Sequence, residues 1–185
     1  MKKLTLLLIM LLTFVGYTQE SFTYDERGLT PKYLVEEFEG ISQQELFDRT
    51  IYWINDTYKN PDEVIKATIS NKKIRFEGVS MDRFSHTLLG TAHYYNATYT
   101  IEVSFKQNKY KFELIKITYR IPGSQYGNGY IVKINLDNGE GYYRKNGKLK
   151  GKTKNVPKQL ENLINGLQKS LKIFVKGYKE INNDW

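Results

Sequence analysis

From Tyr95 to Lys106 the chain alternates strictly. Tyr95, Ala97, Tyr99, Ile101, Val103 and Phe105 fall on one parity, and Asn96, Thr98, Thr100, Glu102, Ser104 and Lys106 on the other. A period of two with one apolar face predicts a long half-buried strand. Gln107-Asn108 is a tight hairpin signal. The returning segment carries Tyr110, Phe112 and Leu114 on one parity, then Ile115, Ile117 and Tyr119 on the opposite one. An apolar face that changes parity predicts a β-bulge near Leu114, because the extra residue resets the register. Upstream, Ile65, Ala67 and Ile69 alternate, Ser70-Asn71-Lys72 turns the chain, and Ile74 and Phe76 alternate in a partner strand. Met81 to Gly90 breaks the pattern and is expected to be a loop carrying Phe84, Leu88 and Leu89. Downstream, Tyr130, Val132, Ile134 and Leu136 predict a short strand, Asp137-Asn138-Gly139 a turn, and Tyr142 to Leu149 a ribbon folded about Asn146-Gly147.

Two segments carry the helical period instead. Ser42-Gln43-Gln44-Glu45 is a capping box, with Ile41 placed to staple across it. Phe47, Ile51, Ile54 and Tyr58 follow at i, i+4, i+7 and i+11, predicting a helix from about Ser42 to Tyr58 that ends at Asn60-Pro61-Asp62. Near the C-terminus, Pro157 suits a first helical turn. Leu160, Leu163, Ile164, Leu167, Leu171, Phe174, Val175 and Tyr178 then form one apolar stripe. Strand, helix, several antiparallel strands and a final helix predict an α+β fold. One sheet with both helices packed on a single face would bury all of these stripes together.

Gly40-Ile41-Ser42, then Glu45-Leu46-Phe47, Arg49 and Trp53, then a hairpin and the long Tyr99 to Tyr119 hairpin, resemble a known domain family. It is an uncharacterised family of exported proteins from Gram-negative bacteria, described as having a TATA-binding-protein-like fold. The resemblance covers roughly Leu34 to Arg120, with Gln43 in place of an expected Lys and Met81 to Gly90 resembling an insertion. It implies a curved antiparallel sheet gripped by helices. It implies no activity, and the name of the fold describes shape and carries no expectation of DNA binding.

The first residues change the picture from fold to destination. Met1-Lys2-Lys3 is a positive head, Leu4 to Val15 an almost unbroken apolar run, and Gly16-Tyr17-Thr18-Gln19 a small polar end. This is the layout of a cleaved secretory signal over residues 1–19, leaving residues 20–185 as one domain. The apolar run is shorter than the roughly 20 residues a membrane span needs, so the mature chain is expected to have no transmembrane segment. The 185 residues contain no cysteine. That removes disulfides, a thiol nucleophile and the acylated cysteine of an ordinary lipoprotein. An exported, periplasmic or extracellular protein is expected, held together by packing alone. Its fifteen tyrosines suit sheets and half-wet surfaces. A net charge of +8 favours anionic envelope partners, lipid head groups or acidic polysaccharide, over nucleic acid.

Few residues offer chemistry. His86 and His93 lack metal-ligand spacing and are expected to be ordinary surface residues. Asp25, Glu26, Glu36, Glu37 and Glu39 read as a solvated strand edge. Ser42 is a cap, Ser124 lacks a nucleophile-elbow context, and Tyr126-Gly127-Asn128-Gly129 does not open a helix as a phosphate loop does. Arg49 and Trp53, one helical turn apart, are placed to stack. The most suggestive run is Tyr142, Tyr143, Arg144, Lys145, Lys148, Lys150, Lys152 and Lys154, whose charges and rings could hold a polyanion. The expectation is a non-enzymatic envelope protein that binds a partner protein or envelope component, without metal or cofactor. The alternative is a carrier of a small apolar ligand, with Tyr95, Tyr99, Phe105, Tyr110 and Phe112 lining a cavity between the sheet and the C-terminal helix.

Overall fold

A computed structural model describes residues 21–125 and 127–178; the signal expected at residues 1–19 and Tyr126 of the glycine-rich loop lie outside them. Eight strands form in chain order: β1 (Thr23–Asp25), β2 (Gly28–Thr30), β3 (Tyr33–Glu37), β4 (Ile65–Ile69), β5 (Lys73–Leu88), β6 (Thr91–Lys106), β7 (Lys109–Ile121) and β8 (Tyr130–Lys133). The helices are α1 (Gln43–Thr57), the short α2 (Pro61–Val64) and α3 (Val156–Gly177), with a single 3₁₀ turn at Gly151–Thr153. β1 and β2 make a small hairpin of their own. The main sheet is antiparallel in the order β3-β7-β6-β5-β4, and β8 pairs with β7 on the same edge as β3.

The predicted alternation sets this sheet. Ala97, Tyr99, Ile101, Val103 and Phe105 are buried, facing the layer that holds α1 and α3. The parity change is a real bulge: Ile101 pairs with Leu114 while Thr100 pairs with Lys116, so Ile115 is the extra residue and stays partly exposed. Tyr99 pairs with Gly78, and a Cβ added there would lie 2.5 Å from the Tyr99 ring, so the glycine makes room for the ring.

Met81 to Gly90 is not a loop. β5 runs unbroken through it to Leu88, with a register shift between Ser80 and Phe84. Three residues of β5, Met81-Asp82-Arg83, stand there against Asn96 alone, so Phe84 and His86 keep the buried parity of Ile74 and Phe76. Simple alternation fails because the bulge and the buried Ser85 interrupt it. Beyond the shift the strand's free edge is covered by the start of α3: Ser85 N–H donates to Gln159 Oε1 at 2.9 Å, and Asn155 Nδ2 donates to Ser85 Oγ at 3.2 Å.

α1 begins where its cap predicts. Glu45 N–H donates to Ser42 Oγ at 3.1 Å. The Glu45 carboxylate does not reach back to complete the box; it pairs with Arg49 one turn on. α3 buries Leu160, Leu163, Ile164, Leu171 and Val175, while Leu167 and Phe174 lie at the rim of the core. Glu36 departs from the expected solvated edge. It is buried under α3, accepts from Gln168 Nε2 and pairs with Lys172 at 2.6 Å, so it pins β3 to that helix.

Candidate functional site

The basic ribbon is a tight hairpin hung on the core by its tyrosines. Arg144 N–H donates to Lys148 O at 2.8 Å and Lys150 N–H to Tyr142 O at 2.8 Å, with Gly147 at φ +74° making the turn. Tyr142 points inward and is buried, edge-on to Tyr24 at 6.0 Å and hydrogen-bonded to the Tyr119 hydroxyl. The Tyr143 hydroxyl donates to Tyr24 O at 2.9 Å. The two rings are therefore anchors, and Tyr142 does not stand among the cations as a stacking surface. Its neighbours in space, Tyr24 and Tyr119, lie far away in sequence, so local pattern carries no sign of its burial.

The cations themselves do stand out. Arg144, Lys145, Lys148, Lys150, Lys152 and Lys154 are all exposed, and among the described residues none forms an ion pair. The Lys150 ammonium donates to the Glu140 carbonyl. Arg144, Lys145 and Lys150 border a depression of about 560 Å³ shared with Glu26, Glu140 and Tyr143. The 3₁₀ turn that carries Lys152 packs against β5.

On the open face of the sheet several charges neutralise one another. Glu102 lies between Lys73 at 2.7 Å and Arg75 at 2.6 Å. Burial alone would raise the Glu102 carboxyl, but its bonds to these two cations outweigh that and hold it below the usual carboxylate range. Lys111 pairs with Glu113 and sits 5.2 Å over the Tyr33 ring.

His86 is not on the surface. It is buried, its Nε2 bonded to the Tyr119 hydroxyl at 2.8 Å and its ring edge-on to Tyr95 at 5.0 Å. Burial and the nearby Lys152 charge push its pKa down. His93 is exposed. Among the described residues no three His, Asp or Glu side chains gather as metal ligands do. Arg49 does not stack on Trp53. Its guanidinium lies 5.3 Å over the Tyr178 ring, and the Trp53 indole N–H donates to Ser170 Oγ at 3.1 Å.

The aromatic residues singled out as a cavity lining are spread along β6 and β7, each against a ring of the core. Tyr99 shares a 2.8 Å hydroxyl hydrogen bond with Tyr58. Phe105 meets Phe47 at 5.6 Å, Tyr110 meets Phe38 at 5.2 Å and Phe112 meets Phe22 at 6.3 Å. Tyr95, half-buried, lies against His86 and Tyr119.

Sequence reasoning missed one feature. β3 pairs with β7 only as far as Glu113, and β8 begins pairing at Thr118. The interval between them opens a cleft of about 690 Å³ lined by Lys32, Glu113, Ile115, Lys116, Lys133 and Asp137. Lys32 pairs with Asp137 at 2.8 Å. The parity change at Leu114 and Ile115 was the signal that marked this place.

With this geometry in view, the family described as a domain of unknown function (DUF4468) with TBP-like fold matches residues 34–120. Residues 34–120 belong to this family. Two crystal structures share the chain's fold. A DUF4468 family protein from Bacteroides ovatus has 16% identity and a TM-score of 0.58, covering 80% of this chain and 86% of its own. A TBP-like protein from Parabacteroides distasonis has 17% identity and a TM-score of 0.54, covering 80% of this chain and 92% of its own. No curated protein matches the chain. The DUF4468 segment supplies β3 to β7 with α1, and α3 and the basic ribbon lie outside it.

Proposed function

We propose that this chain is a non-catalytic binding protein of the bacterial envelope whose basic ribbon engages an anionic envelope component. One observation carries the reading. Some cations elsewhere, such as Lys73, Arg75, Lys111 and Lys172, are matched to carboxylates and others, such as Lys59, Lys116 and Lys133, are not. From Arg144 to Lys154, however, six exposed cations without an ion-pair partner among the described residues follow one another with no carboxylate between them. Unmatched charge gathered on one projection draws counter-charged ligands. The groups best suited to acid–base work are already engaged: His86 Nε2 with Tyr119, Glu36 with Gln168 and Lys172, Glu102 with Lys73 and Arg75. The Lys-Lys head and the apolar run from Leu4 to Val15 support export. No helix among the described residues is long and apolar enough to cross a membrane.

The test is retention on immobilised heparin. Wild type should be retained and should elute as salt rises, because the range of charge attraction falls from about 10 Å at 0.1 M to about 3 Å at 1 M. Lys148→Gln, Lys150→Gln and Lys152→Gln combined should elute at lower salt with an unchanged Tm, since exposed charges contribute little to folding. Equal elution of the two proteins would overturn the proposal.

A further inference from the structure

The far end of the β5–β6 hairpin breaks a local rule. β4 pairs with β5 only as far as Phe76, and β7 pairs with β6 only from Ala97 onward. Residues 84–88 and 91–95 therefore pair only with each other, as a two-stranded arm beyond the sheet. Leu88 pairs with Thr91, so the turn is the two residues Leu89-Gly90, at φ +49° and +83°. A turn with both central residues at positive φ favours Asn or Asp followed by Gly, whose side chains tolerate it. Here the chain places a leucine in the left-handed region, where bulky side chains are rare. That leucine is also 98% exposed. Leu88 beside it is half-exposed, as is Tyr94 on the facing strand. An exposed apolar side chain held in a disfavoured backbone conformation points to function at that spot.

The arm is flanked by the unmatched cations. Asn155 bonds to Ser85, which sets Lys154 beside the base of the arm, and the 3₁₀ turn carrying Lys152 packs on β5. Ser85 is three residues from Leu88, so these cations lie about 10 Å behind the tip along the strand. Apolar tip ahead and basic residues behind is the layering of a protein that dips into an anionic bilayer, whose acyl boundary lies roughly 5–10 Å under its charged head groups.

We infer that the Leu88-Leu89 tip and the basic turn at Lys152 and Lys154 together dock on an anionic lipid bilayer. The inference rests on the anionic partner proposed for the ribbon and names it. A protein pocket is the weaker fit, because the two side chains of the Leu88-Leu89 tip present far less than the roughly 800 Å² per partner of a stable protein interface. A bilayer needs no matching shape.

The test uses the full chain with vesicles of phosphatidylcholine, with and without phosphatidylglycerol. Wild type should co-sediment with the anionic vesicles alone. Leu89→Asn should weaken that binding about tenfold or more, the loss expected when one leucine no longer leaves water. The same change should leave heparin retention intact and hold or raise Tm, since asparagine accepts the left-handed conformation. Leu89→Trp should gain blue-shifted emission that brominated lipid quenches. Absence of wild-type binding to anionic vesicles would overturn the inference. So would Leu89→Asn binding as tightly as wild type, which would mean charge alone acts and would leave the ribbon reading standing.

Discussion

His86 shows how a single side chain couples the fold to pH. Its Nε2 is bonded to Tyr119, its Nδ1 is buried without a partner, and Tyr95, Tyr119 and the Lys152 charge face it. An imidazolium there would carry a second N–H with no acceptor, close to a like charge. Folding therefore holds His86 neutral and its pKa below the unfolded value near 6.5. A depressed base means that the unfolded chain binds the proton first. The His86 contribution to stability is complete above about pH 6.5 and is lost as pH falls through the lowered folded value. Urea midpoints at about pH 8 and about pH 5 should show wild type losing more stability on acidification than His86→Phe. Parallel losses in the two proteins would contradict this.

At the scale of elements, α3 makes the clearest energetic claim. Leu171 is fully buried, whereas Leu167 lies at the rim. Leu171→Ala should cost about 2–5 kcal/mol, the range for emptying a core site. Leu167→Ala should cost less, because its site is already partly wet, and chemical denaturation of the two variants measures the difference. α3, α1, the β6–β7 hairpin and its bulge were legible because each depends on local periodicity and caps, such as Ser42 over Glu45. What was not legible depends on distant partners. Strand β5 past Ser80 escaped because a bulge at Met81-Asp82-Arg83 interrupts the alternation and Ser85 is buried while Leu88 and Leu89 stay exposed. β1 and β2, three residues each, are too short to show a period. The ribbon's charges and its Asn146-Gly147 turn could be read directly, but the burial of Tyr142 against Tyr24 could not. Glu36 looked like a surface acid because its partners, Gln168 and Lys172, are contributed by the far end of the chain.

On the scale of the whole molecule, the matched family segment and the folded body are not the same thing. Residues 34–120 supply the apolar sheet face. Much of what covers that face lies outside them: Phe22, Tyr24 and Leu29 before the segment, and Tyr142, Leu160, Ile164, Leu171 and Val175 after it, all buried in one core. The joins are polar as well as apolar. Asn165 accepts from Phe22 N–H at 2.8 Å and Glu161 from Tyr24 N–H at 2.9 Å, so α3 also holds β1 in place. Stripped of these parts, the segment would expose Ile101, Val103 and Phe112 to water. Each such side chain forfeits roughly 1.5–3 kcal/mol of burial, against a total stability of only about 5–15 kcal/mol for a typical domain. A fragment of residues 34–120 should therefore give no cooperative urea transition and only weak near-ultraviolet circular dichroism, while residues 21–178 should show both in full. A sharp transition in the shorter fragment would mean that the sheet and α1 form a core without α3, contrary to the packing seen here.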